Sequence, residues 1–440
     1  MEVKYIRIST GPNELFAPKS LSDVPGKPTS KTIPLAIEEE TEFAQKIAGF
    51  GASFTDSSAY LINQVIDGKE REELMQALFD HNEGIGISVI RNPMGSSDYA
   101  RDYYSYNDIP KGETDYELKK FSIEHDLADI LPLTKEARNI NPGLKLMASP
   151  WSAPAWMKTT DSMQGGELRT DCYGAFAEYF AKFIKAYEEH GVRVDFITPQ
   201  NEPLYVPPDY SGMHMSPNVQ AEFIKDHLKP IFNKYGITTK ILCFDHNWKD
   251  FEYPMEVLEK AGESIDGVAW HWYEGDPTAQ LTVQKAYPNT EIHVTESSGG
   301  EWIPEFEPAF STLICAIIES LRNGTQSFVL WNMALDENNG PAVPGFRTST
   351  CRGIIKVDRR TGEFEYTIDY YGLAHFSKYI LPEAVRIDTD CAIPSIAFRN
   401  TDNTLVIVLF NNLGYDVNVE INNKLINMPD MSAATIVLEC

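Results

Sequence analysis

The sequence lacks the features that mark a membrane-spanning or nucleic-acid-binding protein. No run of about 18 or more apolar residues occurs along the chain, so no membrane span is predicted. Basic residues are few, 38 against 64 acidic ones, and the resulting net charge of −26 repels phosphate backbones and anionic lipid headgroups. We therefore expect no nucleic-acid partner.

Cysteine and histidine also lack the spacings of disulfide-rich or metal-binding chains. No C-x-x-C pair occurs, which argues for reduced thiols and against a disulfide framework. The six cysteines are scattered along the chain: Cys172, Cys243, Cys315, Cys351, Cys391 and Cys440. His246, His271 and His293 form neither an H-x-H pair nor an H-E-x-x-H motif, so we predict no metal site.

The first residues, MEVKY, lack the charged and then apolar pattern of a signal peptide. As given, the chain is expected to be cytoplasmic, or secreted if an export signal was removed. A length of 440 residues suits one large barrel with a small accessory domain. Nothing in the sequence indicates the oligomeric state.

The sequence does contain a regular alternation of short apolar runs and longer helical patterns. This alternation is typical of βα units around a parallel sheet. Strands are predicted at residues 48–54, 85–91, 144–148, 194–198, 240–244, 267–270, 291–295 and 326–330. The helices predicted between them include residues 70–81, 173–190, 219–235 and 310–323. Eight such units predict an α/β fold, the closed (β/α)8 TIM barrel.

The two ends of the chain show a different pattern. After about residue 380, alternating segments at 395–399, 404–410 and 417–421 are separated by Asn, Asp and Gly turns, which predicts antiparallel sheet. The opening segment is also extended, at 3–9 and 32–37, and is predicted to pair with that sheet. The predicted domains are N-terminal strands at 1–45, a catalytic barrel at 46–378 and a C-terminal part of an accessory β-sandwich at 379–440.

The ends of the predicted barrel strands contain the candidate reactive groups, because catalytic residues of such barrels follow the strands. Only the fourth and seventh strands are followed directly by a glutamate, Glu202 and Glu296. Facing carboxyl groups are what glycosidic cleavage requires: one protonates the leaving oxygen, and the other attacks or activates water. A glutamate chosen at random is far more often a surface residue, so the assignment depends on the fold.

Eight motifs, in order along most of the chain, resemble one known family, glycoside hydrolase family 30, which includes glucosylceramidases and fungal β-1,6-glucanases. The motifs are GFGASFTDSSAY (49–60), IRNPMGSSDY (90–99), LMASPWSAPAWMKT (146–159), ITPQNEPLY (197–205), HWY (271–273), VTESSGG (294–300), LWNMALDENNGP (330–341) and YYGLAHFSKYI (370–380). The resemblance implies a barrel with a β-sandwich built from both chain ends, retention of anomeric configuration, and no metal or organic cofactor.

The resemblance also implies roles for individual residues. Glu202 matches the acid/base and Glu296 the nucleophile, and Asn201 is expected to hydrogen-bond the sugar 2-hydroxyl. Asp56 matches a residue that grips distal sugar hydroxyls, although it could instead cap the helix after the first strand. Trp151 and Trp331 match aromatic walls of the same subsite, although either could be a core residue.

Further candidate site residues are expected around Glu202 and Glu296. His271 and Tyr273 are expected near the nucleophile, with Tyr273 able to donate to Glu296. Asp245 and Asn247 match a polar wall more loosely. Arg91, at the end of the second predicted strand, is expected to be a buried cation that orients the nucleophile, or else to belong to a structural ion pair. Because the two carboxyl groups are expected roughly 5 Å apart, they should titrate as a coupled pair, with Glu202 kept protonated by the anion of Glu296.

The predicted function is a retaining β-glycosidase of the glucosylceramidase or β-glucosidase type, acting on a carbohydrate or glycoside and placed in sphingolipid metabolism. A β-1,6-glucanase or a β-xylosidase of the same family is the alternative, and a non-catalytic carbohydrate-binding barrel is a remote one. Ser298 stands where the glucosylceramidase pattern has a cysteine, and residues 342–344 lack an expected tryptophan. Aglycone, linkage and exo or endo action therefore stay open.

Overall fold

A computed structural model describes residues 2–38, 45–304, 306–346 and 350–439 of the chain. Cys440, and residues 39–44 of the predicted N-terminal segment, lie outside the described residues. Within these ranges no helix is both long enough and apolar enough to cross a membrane.

The strands alternate with helices in the middle of the chain and follow one another at its ends. The strands are β1 (Glu2–Ser9), β2 (Ala17–Lys19), β3 (Lys31–Ile37), β4 (Gly49–Ser53), β5 (Val89–Pro93), β6 (Lys145–Ser149), β7 (Phe196–Ile197), β8 (Lys240–Asn247), β9 (Gly267–His271), β10 (Glu291–Glu296), β11 (Ser327–Leu330), β12 (Ala334–Asp336), β13 (Ile355–Val357), β14 (Phe364–Tyr366), β15 (Val385–Ile387), β16 (Thr389–Cys391), β17 (Ser395–Arg399), β18 (Leu405–Asn411), β19 (Val417–Ile421), β20 (Lys424–Met428) and β21 (Ser432–Glu439). The α-helices are α1 (Asp56–Tyr60), α2 (Gly68–Phe79), α3 (Ile130–Ile140), α4 (Tyr173–Glu189), α5 (Pro217–Glu222), α6 (Lys229–Tyr235), α7 (Glu252–Ala261), α8 (Thr278–Ala286), α9 (Ala309–Arg322) and α10 (Ile368–Ser377).

Strands β4 to β11 form the closed parallel barrel that the sequence predicts. Both faces of these strands are covered, which explains their nearly continuous apolar sequences. One apolar cluster draws a residue from each of six barrel strands: Val89, Met147, Phe196, Leu242, Ala269 and Val329. Side chains of this kind fill the interior of such a barrel, so reactive groups are left at the carboxyl ends of the strands.

Local capping explains where several barrel helices begin and end. Thr55 accepts a hydrogen bond from the amide of Ser58 at the start of α1, and Ser216 caps α5 in the same way. The predicted helix at 219–235 is present as α5 and α6, joined by a π-helical stretch at Phe223–Leu228. It stops at Gly236, whose φ of 66° ends a helix at no steric cost.

Both ends of the chain form the sandwich, as predicted. One sheet has the strand order β15-β17-β18-β21-β1-β2, and the facing sheet has the order β16-β3-β19-β20. A separate apolar cluster, which includes Ile8, Leu35, Ile407 and Ile436, lies between them. The sandwich is not wholly antiparallel, because β3 and β19 pair in parallel. A small sheet of β12, β13 and β14 was not predicted from the sequence.

A buried histidine joins the barrel to the sandwich. His375, in α10, places Nε2 2.8 Å from Ser9 Oγ of β1 and Nδ1 2.9 Å from Thr435 Oγ1 of β21. Its side chain has no exposed surface. Burial, with a smaller contribution from the charge of the nearby Arg7, lowers the pKa of His375 to about 3. The histidine is therefore neutral in the folded protein across the usual pH range.

This contact predicts a specific pH dependence of stability. The unfolded chain takes up a proton at this histidine below pH 6.5, whereas the folded chain does so only near pH 3, so stability falls as pH falls between these values. The slope from this group is about 1.4 kcal/mol per pH unit. His375→Gln should lower the unfolding free energy at pH 7, and its deficit relative to the wild type should shrink toward pH 4.5.

Urea denaturation at several pH values measures this difference. His190→Gln, at an exposed position at the end of α4, is the control and should follow the wild type throughout. A deficit for His375→Gln that stays constant from pH 7 to pH 4.5 would contradict the proton linkage.

Candidate active site

One buried arginine connects three strand ends of the barrel. Arg91 lies in β5, and only 1% of its side chain is exposed. Its guanidinium donates hydrogen bonds to Glu296 Oε2 at 2.8 Å, to Asn201 Oδ1 at 2.7 Å and to Asp245 Oδ2 at 2.9 Å. Because a planar guanidinium fixes the direction of each hydrogen bond, Arg91 orients groups that follow or end β7, β8 and β10.

Asp245, expected in a polar wall facing substrate, is instead a buried counter-ion. Its side chain has no exposed surface. Burial raises the pKa of Asp245, but the charges of Arg91 and His271 outweigh burial and hold the pKa well below its usual range. Protein groups bind both oxygens of Asp245. Arg91, Ser149 and Thr198 contact Oδ2, and His271 and Thr295 contact Oδ1. No acceptor position is left for a sugar hydroxyl.

His271 lies between the two candidate catalytic glutamates, and it has no exposed surface with which to line a substrate pocket. Its Nε2 is 3.0 Å from Asp245 Oδ1. Its Nδ1 is 3.3 Å from Glu202 Oε1 and 3.8 Å from Glu296 Oε1. Burial lowers the pKa of His271, but the three carboxylates raise it to about 9. At neutral pH His271 therefore holds a proton between the glutamates.

The two glutamates are close enough to act on one bond, because each has an oxygen within about 4 Å of the same histidine nitrogen. This closeness suits the separation of roughly 5 Å at which a covalent glycosyl-enzyme can form. Burial raises the pKa of Glu296, and the positive charges of His271 and Arg91 oppose that rise. Burial also raises the pKa of Glu202, but His246 and His271 outweigh burial and lower that pKa overall.

The direction of this shift is opposite to the expectation that the charge of Glu296 keeps Glu202 protonated. In the resting site the shared proton lies on His271, whose Nδ1 is 3.3 Å from Glu202 Oε1. Glu202 can take the proton from that contact when charge develops on a leaving oxygen. The site holds the same number of protons as one in which Glu202 is protonated and His271 is neutral, so Glu202 can still act as the candidate acid.

Backbone strain coincides with this arrangement. Glu202 has a φ of 45° and Asp245 a φ of 73°, both in the left-handed region that side chains other than glycine rarely adopt. The amide of Glu202 donates to the carbonyl of Asp245 at 2.9 Å, which holds the two strained turns together. Strain of this kind costs about 1–3 kcal/mol per residue and is found mainly at functional sites.

Tyr273 and Asn247 lie on the open side of the glutamates. The hydroxyl of Tyr273 donates to Glu296 Oε1 at 3.0 Å, as the sequence suggested, and Asn247 Oδ1 accepts from the amide of Tyr273 at 3.2 Å. Beside them is a solvent-open cavity of about 490 Å³, here called the Glu202 cavity. It is lined by Glu202, Leu204, Tyr205, His246, Asn247, Lys249, Asp250, Tyr273 and Glu274.

Trp151 and Trp331 form a stacked pair next to Arg91, with ring centroids 4.9 Å apart. The Arg91 guanidinium lies 4.8 Å from the ring of Trp151 and 5.7 Å from that of Trp331. Each tryptophan is 3% exposed, so the pair is mainly a buried support for Arg91. Trp331 also hydrogen-bonds the carboxyl group of Asp98.

Asp98 is a site residue that the sequence analysis missed. Burial and the charge of Glu296 raise the pKa of Asp98 to about 8, although the bond from Trp331 opposes the rise. One of its oxygens, Oδ1, is buried and has no hydrogen-bond partner. A buried, unpartnered carboxyl oxygen near the two candidate catalytic glutamates is a position where a ligand hydroxyl can bind. The motif MGSSDY, which follows the second barrel strand, is the feature of the sequence that could have identified Asp98.

Asp56, the predicted sugar-gripping residue, is a structural carboxylate. Arg101 binds its oxygens through the backbone amide at 2.8 Å and the guanidinium at 2.9 and 2.7 Å, and His125 adds a contact of 2.9 Å. Burial raises the pKa of Asp56, but these bonds bring it well below its usual range. Both oxygens are thus occupied by protein groups, which excludes the predicted contact with substrate.

His246, at the end of β8, was also not selected from the sequence. Its Nδ1 lies 3.6 Å from Glu202 Oε1. Among the residues that the structure describes, Glu202, His246 and His271 are the group whose donor atoms come close enough to share a metal ion. Their positions in the chain match no metal-binding spacing, because three separate strand ends bring them together.

A closed (β/α)8 barrel whose fourth and seventh strands are followed by or end in two neighbouring carboxyl groups has the architecture of a glycoside hydrolase. The chain belongs to glycosyl hydrolase family 30. Residues 47–380 match the TIM-barrel domain of that family, and residues 383–436 match its beta sandwich domain.

The chain is similar over most of its length to characterised members. It is 31% identical to an endo-1,6-beta-D-glucanase of Neurospora crassa over 86% of this chain and 82% of that protein. It is 28% identical to the lysosomal acid glucosylceramidase of Mus musculus over 92% of this chain and 82% of that protein. The solved structure of the endo-beta1,6-glucanase BT3312 superposes with a TM-score of 0.87, at 29% identity, over 98% of both chains.

The contrast between Asp98 and Asp56 gives a test of the site assignment. Asp98→Ala should lower kcat/KM by about 10- to 100-fold, because a substrate hydroxyl left without its partner in a buried site costs about 1–3 kcal/mol. Asp56→Ala should destabilise the fold by roughly 3 kcal/mol through its unpaired arginine, and leave kcat/KM of the folded enzyme within about threefold of wild type. Steady-state kinetics and urea denaturation on both variants check this, and the reverse pattern would restore Asp56 as the sugar-binding residue.

Proposed function

We propose that this glycoside hydrolase is a retaining endo-β-1,6-glucanase. The observation that carries the proposal is the combination of the paired glutamates with extended similarity to endo-1,6-beta-D-glucanases, at 31% identity for the Neurospora crassa protein and 29% for BT3312. The glucosylceramidase reading made from the sequence is the weaker one, because the structure superposes on the endo-beta1,6-glucanase BT3312 over nearly the whole of both chains and because the cavity beside Glu202 is lined by polar and charged groups. The β-1,6-glucanase alternative replaces it.

The chemistry of the Glu202 cavity supports a sugar as leaving group. Lys249 and Glu274 form an ion pair there, and Asn247 lines the same space. Such groups suit the hydroxyls of a second glucose unit, whereas the two alkyl chains of ceramide require an apolar groove. Tyr205, 46% exposed beside Glu202, offers a flat face on which a sugar ring can pack.

The proposed reaction has two displacements. In the first, Glu296 attacks the anomeric carbon of a β-linked glucose while Glu202, supplied through His271, protonates the departing glycosidic oxygen. Arg91 and Tyr273 hold the attacking carboxylate through one hydrogen bond to each of its oxygens. In the second, Glu202 removes a proton from water, which attacks the same carbon and releases Glu296.

Asn201 is proposed to contact the sugar 2-hydroxyl. Arg91 Nη2 donates a hydrogen bond to Asn201 Oδ1 at 2.7 Å. This bond fixes the orientation of the Asn201 amide and directs its nitrogen away from the arginine. A donor held in place in this way can strengthen its bond to the 2-hydroxyl in the transition state. Asp98 is proposed to bind hydroxyls at the far end of the same sugar.

Two variants separate the proposed roles of the glutamates. Glu296→Gln should lower kcat by a factor on the order of 10⁴ or more on every substrate. Glu202→Ala should still form a glycosyl-enzyme from 2,4-dinitrophenyl β-glucoside, whose leaving group needs no acid, and should then hydrolyse it slowly. Azide should accelerate that second step and give β-glucosyl azide, detected by NMR. Wild-type activity in Glu296→Gln would remove the nucleophile assignment.

A substrate panel tests the specificity. The wild type should cleave linear β-1,6-glucan to a mixture of oligosaccharides from the earliest times, with β-configured new reducing ends visible by NMR. Glucosylceramide in detergent micelles and aryl β-xyloside should be cleaved far more slowly. Release of glucose alone from the glucan would contradict endo action, and a preference for glucosylceramide would restore the glucosylceramidase reading. Absence of cleavage of any member, with both glutamates intact, would favour a binding-only barrel.

A further inference from the structure

A set of three metal-binding side chains coincides with the candidate acid/base. Glu202, His246 and His271 follow or end three consecutive barrel strands, β7, β8 and β9. One donor atom from each, a carboxylate oxygen and two imidazole nitrogens, lies within 4.8 Å of the others. The general acid of this site is thus also one of three potential ligands.

Two of the three distances within this set are close to those between the ligands of a small four-coordinate cation. Glu202 Oε1 lies 3.3 Å from His271 Nδ1 and 3.6 Å from His246 Nδ1. Neighbouring ligands of a tetrahedral zinc ion, each about 2.0–2.1 Å from the metal, are separated by roughly 3.3 Å. A cation can therefore occupy the space between these atoms with small side-chain movements.

The surroundings of the two histidines favour this use. His271 Nε2 lies 3.0 Å from the buried Asp245 Oδ1, an arrangement in which the carboxylate holds the ring and leaves Nδ1 as the ligand. His246 is 6% exposed, and its Nδ1 is buried without a hydrogen-bond partner. A buried, unpartnered nitrogen aimed at a carboxylate oxygen is a donor atom that the protein itself does not satisfy.

We propose that this set binds a divalent transition-metal ion of zinc type, and that binding reversibly switches off the enzyme. Two imidazoles and one carboxylate suit Zn²⁺, whereas Ca²⁺ and Mg²⁺ prefer oxygen ligands alone. Glu202 and His246 both line the Glu202 cavity, which gives the ion a route from solvent and a water a place as fourth ligand. The negative charges of Asp245 and Glu296 offset the repulsion from Arg91.

Inhibition follows from what the ion occupies. A metal on Glu202 Oε1 and His271 Nδ1 displaces the His271 proton to solvent and occupies the lone pairs that would carry it, so the leaving oxygen cannot be protonated. The ion also stands where the glycosidic oxygen must approach Glu202, so metal and substrate should exclude each other. This inference concerns regulation by an ion and goes beyond the proposed glucanase activity.

Isothermal titration calorimetry with ZnCl2 on the full chain measures binding without any turnover. The wild type should bind one Zn²⁺ per chain at its tightest site, His246→Gln should weaken that site by about tenfold or more, and Mg²⁺ should show no such site. His214→Gln is the matched control, since His214 Nδ1 contacts Glu167 Oε1 at 3.0 Å in a solvent-exposed His–Glu pair that does not include any of the three proposed ligands. This control should bind Zn²⁺ like the wild type.

Kinetics give the second reading, with each variant normalised to its own metal-free rate. Zn²⁺ should inhibit the wild type competitively and be reversed by EDTA, and His246→Gln should need about tenfold more Zn²⁺. If His246→Gln does not fold, Glu202→Gln takes its place in the calorimetry. Equal Zn²⁺ affinity in wild type and the site variant, or an equal loss in His214→Gln, would overturn the proposal. The calorimetry stands even if the enzyme proves inactive on β-1,6-glucan.

Discussion

A buried guanidinium is the constraint on which the arrangement of this site depends. Arg91 has almost no contact with water, so its charge must be balanced by the protein, and Asp245 and Glu296 supply the balance. Removing one partner of such a pair leaves an uncompensated buried charge, which costs about 3–5 kcal/mol. The positions of β5, β8 and β10 are therefore coupled to one another, and the fold fixes the orientation of Glu296, the proposed nucleophile.

The same balance extends to His271 and from there to Glu202. Asp245 binds both cations, Arg91 through one oxygen and His271 through the other. His271 in turn contacts both glutamates, so the site holds one mobile proton within a frame of fixed charges. The left-handed backbone at Glu202 and Asp245 is tolerated because this network holds both residues in place.

Much of this architecture could be predicted from the sequence, because strand periodicity and the strand ends are local signals. Glu202, Glu296 and the contact from Tyr273 followed from their positions after apolar runs. Asp56 and Asp98 could not be ranked in this way. Both are aspartates near strand ends, and only the placement of Arg101 on one and of Trp331 on the other shows which carboxyl group keeps a free oxygen. The sheet of β12 to β14 was missed because its three-residue strands are too short for periodicity.

The residues that can determine substrate specificity in this fold are different from those that hold the two glutamates. The charged groups around Arg91 hold the two glutamates and do not contact the group on the other side of the glycosidic bond, so they carry no information about it. That information lies in the loop after Glu202 and in the residues after β8 and β9, where Tyr205, Lys249 and Glu274 meet solvent. Residues there are free of the charge balance that constrains Arg91, so they can change without disturbing the glutamates. His246 is the exception, because it lines the Glu202 cavity and also contacts Glu202, the proposed acid/base.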